Sequence, residues 1–393
     1  MNPLKRRVHF IANGIYCDQI SGGDIHFFEM VSGLQEAGAE VNFFGGHALK
    51  RQLEARFKNY GLTLTDRAAA KPLNIHGLSG QLKLLWDYLR RFIGTLKVLK
   101  KIGPDDAAYA VSDYWFDVWP VVLSRAKRKI MIWHMEAPTL GQVIKRSRPD
   151  VPASRLNSLY YWASQNLSLR IFRRCRDKRM LYVHPLMHPK LLRMGYQQAE
   201  LDYISFGVDI PPLPTPPLTK TYDVIWIGRV HLQKGIQDLL ATLEYLSQQI
   251  PNFRAVLVGR LKEDLGPEIE RRNLSQCVEF AGFVSEAEKY RLFQVSRVFL
   301  MSSRFEGSPR VVAEALVSET PVVAYDVPNY RPIFGEFLRY VPCFDVQQFQ
   351  RAAEATILEM RQGKNYLAGL KLAEFRQQHC WAETRRVFQR TLD

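Results

Sequence analysis

Residues 302–316 read SSRFEGSPRVVAEAL, a cluster of turn formers that passes into a helix pattern and sets two carboxylates, Glu306 and Glu314, eight residues apart. Pro309 has no backbone donor to lose at a first helical position, and Ser308 before it is a good N-cap, so the pattern predicts a helix from 308 or 309. The preceding RVFLM, residues 297–301, is short, apolar and bounded by turn residues, which predicts a buried strand. The unit is therefore strand, loop, helix. In an open parallel sheet ligands sit outside the carboxyl ends of the strands, and a helix N-terminus there favours phosphate. Gly307 and Ser308 stand at that helix start. Glu306 falls in the loop and Glu314 about a turn and a half into the helix.

Neither acid suits a phosphate, but both suit hydroxyls further along a ligand that carries phosphate in its middle. A nucleotide sugar has that layout. The plain alternative is a solvated loop acid and an exposed helix acid.

At 393 residues the chain exceeds one comfortable core, and two domains are expected. No apolar run reaches the roughly 18 residues that span a bilayer, and the start MNPLKRRVHFIANG enters a strand-like segment without a signal-peptide core. A cytoplasmic protein is expected. The five cysteines, Cys17, Cys175, Cys277, Cys343 and Cys380, are scattered singly, which indicates neither a disulfide framework nor a zinc site. Charge is uneven. Residues 1–200 hold 31 Lys and Arg against 16 Asp and Glu, and residues 201–393 hold 23 against 23, so the whole formal +15 lies in the first half. Such asymmetry points to an anionic partner for that half, either nucleic acid or a membrane surface.

DIPPLPTPPLTK, residues 209–220, carries five prolines in twelve residues and reads as a stiff linker. Before it, RVHFIANG, AEVNFFGG, AAYAVS, KIMIWH, MLYVHP and LDYIS look like buried strands, with helical stretches such as 24–37 between them. After it, YDVIWIG, FRAVLVG, CVEFAG, RVFLM and PVVAY do. Strands spaced by helices argue for βαβ units and parallel sheets, hence two doubly wound α/β domains facing one another across a cleft. The expected division is a first domain over 1–208, the linker over 209–220, a second domain over 221–375 and a last segment over 376–393.

The first strand after the linker ends in IGRVHLQKG, residues 227–235. Gly228 allows a tight turn, Arg229 emerges at the strand's carboxyl end, and Lys234 with Gly235 opens the next helix pattern. A guanidinium fork and an ammonium aimed at one crevice can hold a diphosphate without metal. Alternatively both are solvated. In the first half, DQISGGDIHFFEM sets Gly22 and Gly23 between a strand and a helix, where backbone can approach a ligand closely or simply form a loop.

Taken together, IGRVHLQKG, FAGFVS at 280–285 and SSRFEGSPRVVAEALVSETPVVAYD, with SGGD and YISFGVD earlier, resemble family 4 of the glycosyltransferases, enzymes of the GT-B fold. The resemblance covers nearly the whole chain, and implies that residues 1–208 bind the acceptor, that 221–375 bind the nucleotide sugar, and that a last helix over 376–393 returns to the first domain. It implies retaining transfer of a sugar from a nucleotide donor, a UDP- or GDP-sugar, to an acceptor hydroxyl in polysaccharide, lipopolysaccharide or glycolipid synthesis. It further implies that Glu306 contacts sugar hydroxyls, Glu314 the ribose, and Arg229 and Lys234 the diphosphate. Gly22 and Gly23 match the family's glycine loop, which approaches the diphosphate from the opposite domain. His134, in KIMIWHMEAP, matches a histidine that reaches the donor sugar. Trp381 in HCWAETRRVFQRTLD matches the aromatic start of the family's final helix. Glu319 stands where the family usually has Gly, and Pro328–Asn329 where it often has a Gly pair, two changes expected to bear on the loop that faces the donor sugar.

No two aspartates are separated by one residue, so no Asp-x-Asp metal motif is present and no metal or other cofactor is expected. Retention can come from a carboxylate nucleophile or from same-face attack with the leaving phosphate as base, and the resemblance favours the latter. GQLKLLWDYLRRFIGTLKVLKK, residues 80–101, has a helical pattern with Leu84, Leu85, Tyr88, Phe92, Leu96 and Leu99 on one side and Lys83, Arg90, Arg91, Lys97, Lys100 and Lys101 mostly elsewhere. A second basic aromatic tract runs from Lys145 to Arg179. Such helices either lie on an anionic membrane or cover their own core with a solvated basic face. The acceptor is expected to be a glycan or glycolipid. A nucleic-acid-binding protein would explain the charge but lacks a recognition motif, and a nicotinamide dehydrogenase lacks G-x-G-x-x-G after either first strand. A catalytically silent GT-B scaffold or a basic membrane-binding protein is the remaining alternative.

Overall fold

The computed structural model describes residues 7–15, 22–66, 77–145, 155–260 and 262–392. They divide into two compact units, one holding the chain as far as Phe206 and again from Ala382, the other running Gly207–Trp381.

The first unit is built on a parallel sheet of seven strands: β1 (Val8–Ile11), β2 (Val41–Gly45), β3 (Gly61–Leu64), β4 (Ala107–Ala110), β5 (Arg128–Trp133), β6 (Lys178–Tyr182) and β7 (Leu201–Tyr203). Their spatial order is β3-β2-β1-β4-β5-β6-β7. Val8 pairs with Val41 on one side and Ala107 on the other, so all side chains of β1 are buried. This explains the near-continuous apolar runs of the sequence, because a parallel strand covered on both faces has no polar side to show. The order reverses between β1 and β4, and the crevice at their carboxyl ends is the topological switch point.

The second unit repeats the design with six parallel strands: β8 (Tyr222–Ile227), β9 (Ala255–Val258), β10 (Val278–Gly282), β11 (Ser296–Met301), β12 (Val322–Tyr325) and β13 (Arg339–Val341), in the order β10-β9-β8-β11-β12-β13. Its switch point lies between β8 and β11. The core beneath is dry, with Trp226, Phe293, Phe299 and Leu300 almost wholly buried.

Two edge strands were not expected from the sequence. In β3, Gly61 breaks the apolar alternation, and a Cβ there would lie 1.7 Å from the Asn42 side-chain oxygen. In β13 only three residues precede Pro342. The helix expected from 24 begins earlier, at Gly22, and runs Gly22–Glu36. Gly22 and Gly23 are thus its first residues rather than a separate loop.

Residues 209–220 form neither helix nor regular strand and are tied down within the second unit: Gln294 Nε2 donates to the Pro212 carbonyl and Lys220 Nζ to those of Gln294 and Ser296. Near the C-terminus, residues 376–378 end the separate helix Leu372–Gln378, where Phe375 packs on Phe337 at 4.8 Å, and the last helix begins at Trp381 rather than 376. That helix, Trp381–Arg390, enters the first unit's core through Phe388, whose ring lies 5.3 Å from Tyr109. Arg385 bonds Glu29 and Glu36, and Gln389 donates to the Gly33 carbonyl. No helix among the described residues is long and apolar enough to cross a membrane.

Candidate functional site

At the switch point of the second unit, the loops after β8 and β11 are bound to one another before any ligand arrives. Gly235 sits in the left-handed region at φ +62°, and a Cβ there would lie 2.1 Å from the Ser302 carbonyl oxygen, so only glycine fits. This close approach is fastened by Ser302 Oγ, which donates to the Lys234 carbonyl at 2.8 Å and accepts from Trp226 Nε1 at 3.3 Å. Gln233 Nε2 donates to the Phe305 carbonyl, and Arg304 N to that of Gln233. Lys234 is thereby held at the crevice, where its Nζ meets Glu306 Oε1 at 2.6 Å. Both side chains keep part of their surface open, 19% and 12%.

The helix after the Glu306 loop runs Arg310–Val317, with Pro309 as its N-cap and no side-chain cap bond. The expected Ser308 cap is therefore displaced by one residue, because Pro309 at ψ 94° has not yet entered the helix. Gly307 and Ser308 are half-buried in the loop leading to this helix start, whose first N–H groups have no side-chain cap among the described residues. Glu314 is neither exposed nor solvated. It is 3% exposed, with Oε1 held by Lys289 Nζ at 2.8 Å and Arg310 Nε at 2.9 Å. Glu306 and Glu314 thus have separate cation partners. Arg229 is exposed at the carboxyl end of β8, outside these bonds among the described residues. A Cβ on Gly228 would lie 2.5 Å from the Trp226 ring, so that turn also needs glycine.

Sequence reading missed several residues that shape this site. Arg310 and Glu314 are an i,i+4 pair that was legible. Lys289, from another helix, was not. Asp238 accepts the Arg304 fork at 2.8 to 3.2 Å and the Tyr325 hydroxyl at 3.1 Å, joining three elements beneath the loop. Asn329 Nδ2 donates to the Glu306 carbonyl at 2.6 Å. The Pro328–Asn329 change therefore does touch the Glu306 loop. Glu319 does not: it follows the far end of the Arg310–Val317 helix and precedes β12, on the side of the sheet opposite the crevice. Its φ of +58° shows why a glycine suits that position.

The switch point of the first unit is of another kind. A cavity of about 640 Å³ opens there, lined by Gly14, Gly23, Ser112, Asp117 and His134 and walled by leucine and aromatic side chains from the helices Gly77–Val98 and Arg155–Phe172. Asn13 fixes the loop after β1: its Nδ2 donates to Thr95 Oγ1 and the Phe116 carbonyl, and its N–H donates to Asp117 Oδ1 at 2.7 Å. Asp117 Oδ2 accepts from Ser112 Oγ at 2.6 Å. Burial pushes both Asp117 and Asp113 up to about 7, against the pull of these donors. Arg91, expected on the basic face, turns inward instead. It is 2% exposed, pairs with Asp87, and donates to the carbonyls of Asn13 and Ile15.

His134 follows β5 and faces this cavity. Its Nε2 is buried without a hydrogen-bond partner among the described residues, and burial lowers its pKa to about 4, so the ring is neutral at pH 7. Gly22 has open space around its Cβ position, and Gly23 lies at the cavity wall. Of the second basic tract, residues 146–154 lie outside those described. Beyond them, Gln165 bonds the Ala137 N–H and the Met135 carbonyl, which makes this part of the tract structural. Among the described residues no group of three His, Cys, Asp or Glu is placed to hold a metal ion.

Residues 215–364, all within the second unit, match the family described as glycosyl transferases group 1. The chain is 23% identical over 261 residues to an uncharacterized glycosyltransferase of Methanocaldococcus jannaschii, covering 62% of this chain and 61% of that protein. It is 28% identical over 116 residues to the alpha-monoglucosyldiacylglycerol synthase of Acholeplasma laidlawii, covering 29% of this chain and 28% of that one. The aligned stretches thus span less than two thirds of either relative. In three dimensions the chain resembles the crystal structure of Anabaena HepE in complex with UDP and glucose, with a TM-score of 0.68 and 17% identity over 98% of this chain and 99% of that one. The fold is therefore GT-B, two Rossmann-like α/β domains.

Proposed function

We propose that the protein is a retaining glycosyltransferase that moves a sugar from a nucleotide-diphosphate donor, a UDP- or GDP-sugar, to an acceptor hydroxyl without a metal ion. The observation that carries this reading is the Lys234–Glu306 pair, locked by Gly235 and Ser302 at the switch point of the second unit. A partly open ammonium and carboxylate in contact answer to a ligand that presents phosphate beside hydroxyls. Relatives named as glycosyltransferases and the group 1 match over residues 215–364 support it.

In this reading Lys234 and Arg229 hold the diphosphate, assisted by the loop at Gly307 and Ser308 that leads to the start of the Arg310–Val317 helix. Charge grows on the leaving diphosphate as the glycosidic bond breaks, and fixed donors there lower the barrier, each typically by about 3 kcal/mol. Glu306 accepts from sugar hydroxyls. Both cation contacts of Glu314 fall on Oε1, which leaves Oε2 for the ribose. His134, neutral at pH 7, accepts or donates one hydrogen bond to the donor sugar through Nε2. Retention follows from acceptor attack on the face the diphosphate leaves, with a phosphate oxygen taking the acceptor proton. The acceptor belongs to polysaccharide, lipopolysaccharide or glycolipid synthesis, and the protein works in the cytoplasm, peripherally at the inner face of the membrane.

The test is thermal shift with UDP, GDP and ADP and their sugars, followed by slow donor hydrolysis. A nucleotide sugar that raises Tm and is hydrolysed by wild type but not by Glu306→Ala supports an enzyme; binding without hydrolysis in either supports a silent scaffold.

A further inference from the structure

The helix Gly77–Val98 has a second apolar side that the core does not use. Its inward side carries Leu84, Tyr88, Arg91 and Thr95, and Tyr88 stacks on Phe116 at 4.2 Å. At about 100° per residue, Leu82, Trp86, Leu89 and Ile93 fall within roughly 60° of one another on the opposite side. Leu82 is 59% exposed, Trp86 60% and Ile93 42%. Three large exposed apolar side chains with half-buried Leu89 in register among them form an apolar stripe on the solvent side of this helix among the described residues. Lys83, Arg90 and Lys97 recur at seven-residue spacing along one flank of this stripe, all exposed. The one acid of the helix, Asp87, is paired with Arg91 instead. An apolar stripe beside an uncompensated row of cations matches an anionic lipid surface, with the rings and leucines in the acyl boundary and the long cationic side chains at the headgroups.

The stripe is continuous with the cavity of the first unit. Leu82 belongs to both, and across the opening stands Leu156, which is 68% exposed and also lines the cavity. Inward from this rim the walls are Leu85, Tyr88, Phe116, Tyr160 and Tyr161, and the polar groups Ser112, Asp117 and His134 lie among them. At about 640 Å³ the volume is that of a ligand pocket. A water-soluble glycan could stack on the aromatic rings but would leave the leucine rim unmatched.

We propose that the acceptor is an amphiphile drawn from an anionic bilayer, its hydrocarbon part entering between Leu82 and Leu156 while the stripe on the Gly77–Val98 helix rests on the anionic lipid surface. This rests on the glycosyltransferase reading for the word acceptor, but not for the surface or the cavity. The test uses the full chain in flotation with phosphatidylcholine vesicles containing 30 mol% phosphatidylglycerol or none. Binding to the anionic vesicles only, lost at 1 M salt, is expected. Trp86→Glu with Ile93→Glu, neither lining the cavity, should weaken it at least tenfold, and Lys83→Ser with Arg90→Ser and Lys97→Ser by a similar factor should the first variant fold poorly. Dodecyl maltoside should bind wild type at least tenfold tighter than maltose, with Leu82→Asn removing most of that margin. Binding to neutral vesicles alone, equal flotation of the charge variant, or equal affinity for maltose and its dodecyl glycoside would overturn the proposal. Thermal shift by nucleotide sugars is read in parallel. Its absence alongside intact vesicle binding sinks the transferase reading and leaves the lipid surface standing.

Discussion

Two switch points built on the same strand logic have opposite contents. Between β8 and β11 the chain places charges in pairs, Lys234 with Glu306 and Arg310 and Lys289 with Glu314, around glycines that let backbone meet backbone. Between β1 and β4 it places aromatic rings and leucines around two buried carboxyls, both pushed up to about 7, and a histidine held neutral. Topology therefore chooses where a ligand goes, and the loop residues choose its chemistry. The charged crevice suits a polyanion with hydroxyls, the greasy one an amphiphile.

The comparison breaks most easily at the charged crevice. Lys234→Ala and Glu306→Ala should each lower turnover at least a hundredfold, read as nucleotide release, with Tm within a few degrees of wild type. Near-normal turnover in either removes that residue from the site. Gly235→Ala is next: a Cβ 2.1 Å from the Ser302 carbonyl in a left-handed conformation should cost about 1–3 kcal/mol of stability and displace Lys234, read as a lowered midpoint in urea. An unchanged midpoint would show that the two loops are not locked.

The first unit's crevice is tested by pH. Asp117 has an unfolded value near 3.8 and a folded value of about 7, so the native state holds a proton that the unfolded state has released between those limits. Its contribution is full below 3.8 and lost as pH rises through 7, with a slope of at most about 1.4 kcal/mol per pH unit. His134, lowered from 6.5 to about 4, works in the reverse sense and costs stability as pH falls from 6.5 to 4. Asp117→Asn keeps an acceptor for the Asn13 N–H and should flatten the decline in urea midpoint between pH 5 and 8. An unaltered decline would assign it to other groups. The smallest effect is expected at Glu319→Gly, which should gain about 0.5–1 kcal/mol by relieving φ +58° and leave turnover unchanged, since Glu319 lies away from the crevice. A turnover change there would put it back beside the donor.

Apolar runs such as YDVIWI and RVFLM made the two parallel sheets legible, because burial on both faces leaves no alternation to misread. The places of Glu306 and Glu314 after β11, and of Lys234 after β8, were legible from order and spacing along two strand-loop-helix units, whereas the Lys234–Glu306 contact was not. What escaped was long-range: Lys289 reaches Glu314 across 25 residues, Arg304 reaches Asp238 across 66, and Asn329 reaches Glu306 from the loop after β12. No local pattern encodes such meetings. Arg91 was misplaced because its neighbours Arg90 and Lys97 are solvent-facing, and only the fold shows the carbonyls of Asn13 and Ile15 that draw it inward.

The last helix carries Phe388 into the core that β1 began, against Phe10 and Tyr109. Translation therefore delivers Phe10 well before the ring that completes its packing, with the whole second unit in between. Until Phe388 has been made the core around Phe10 and Tyr109 stays open, so removal of the Trp381–Arg390 helix would expose aromatic surface within the first unit.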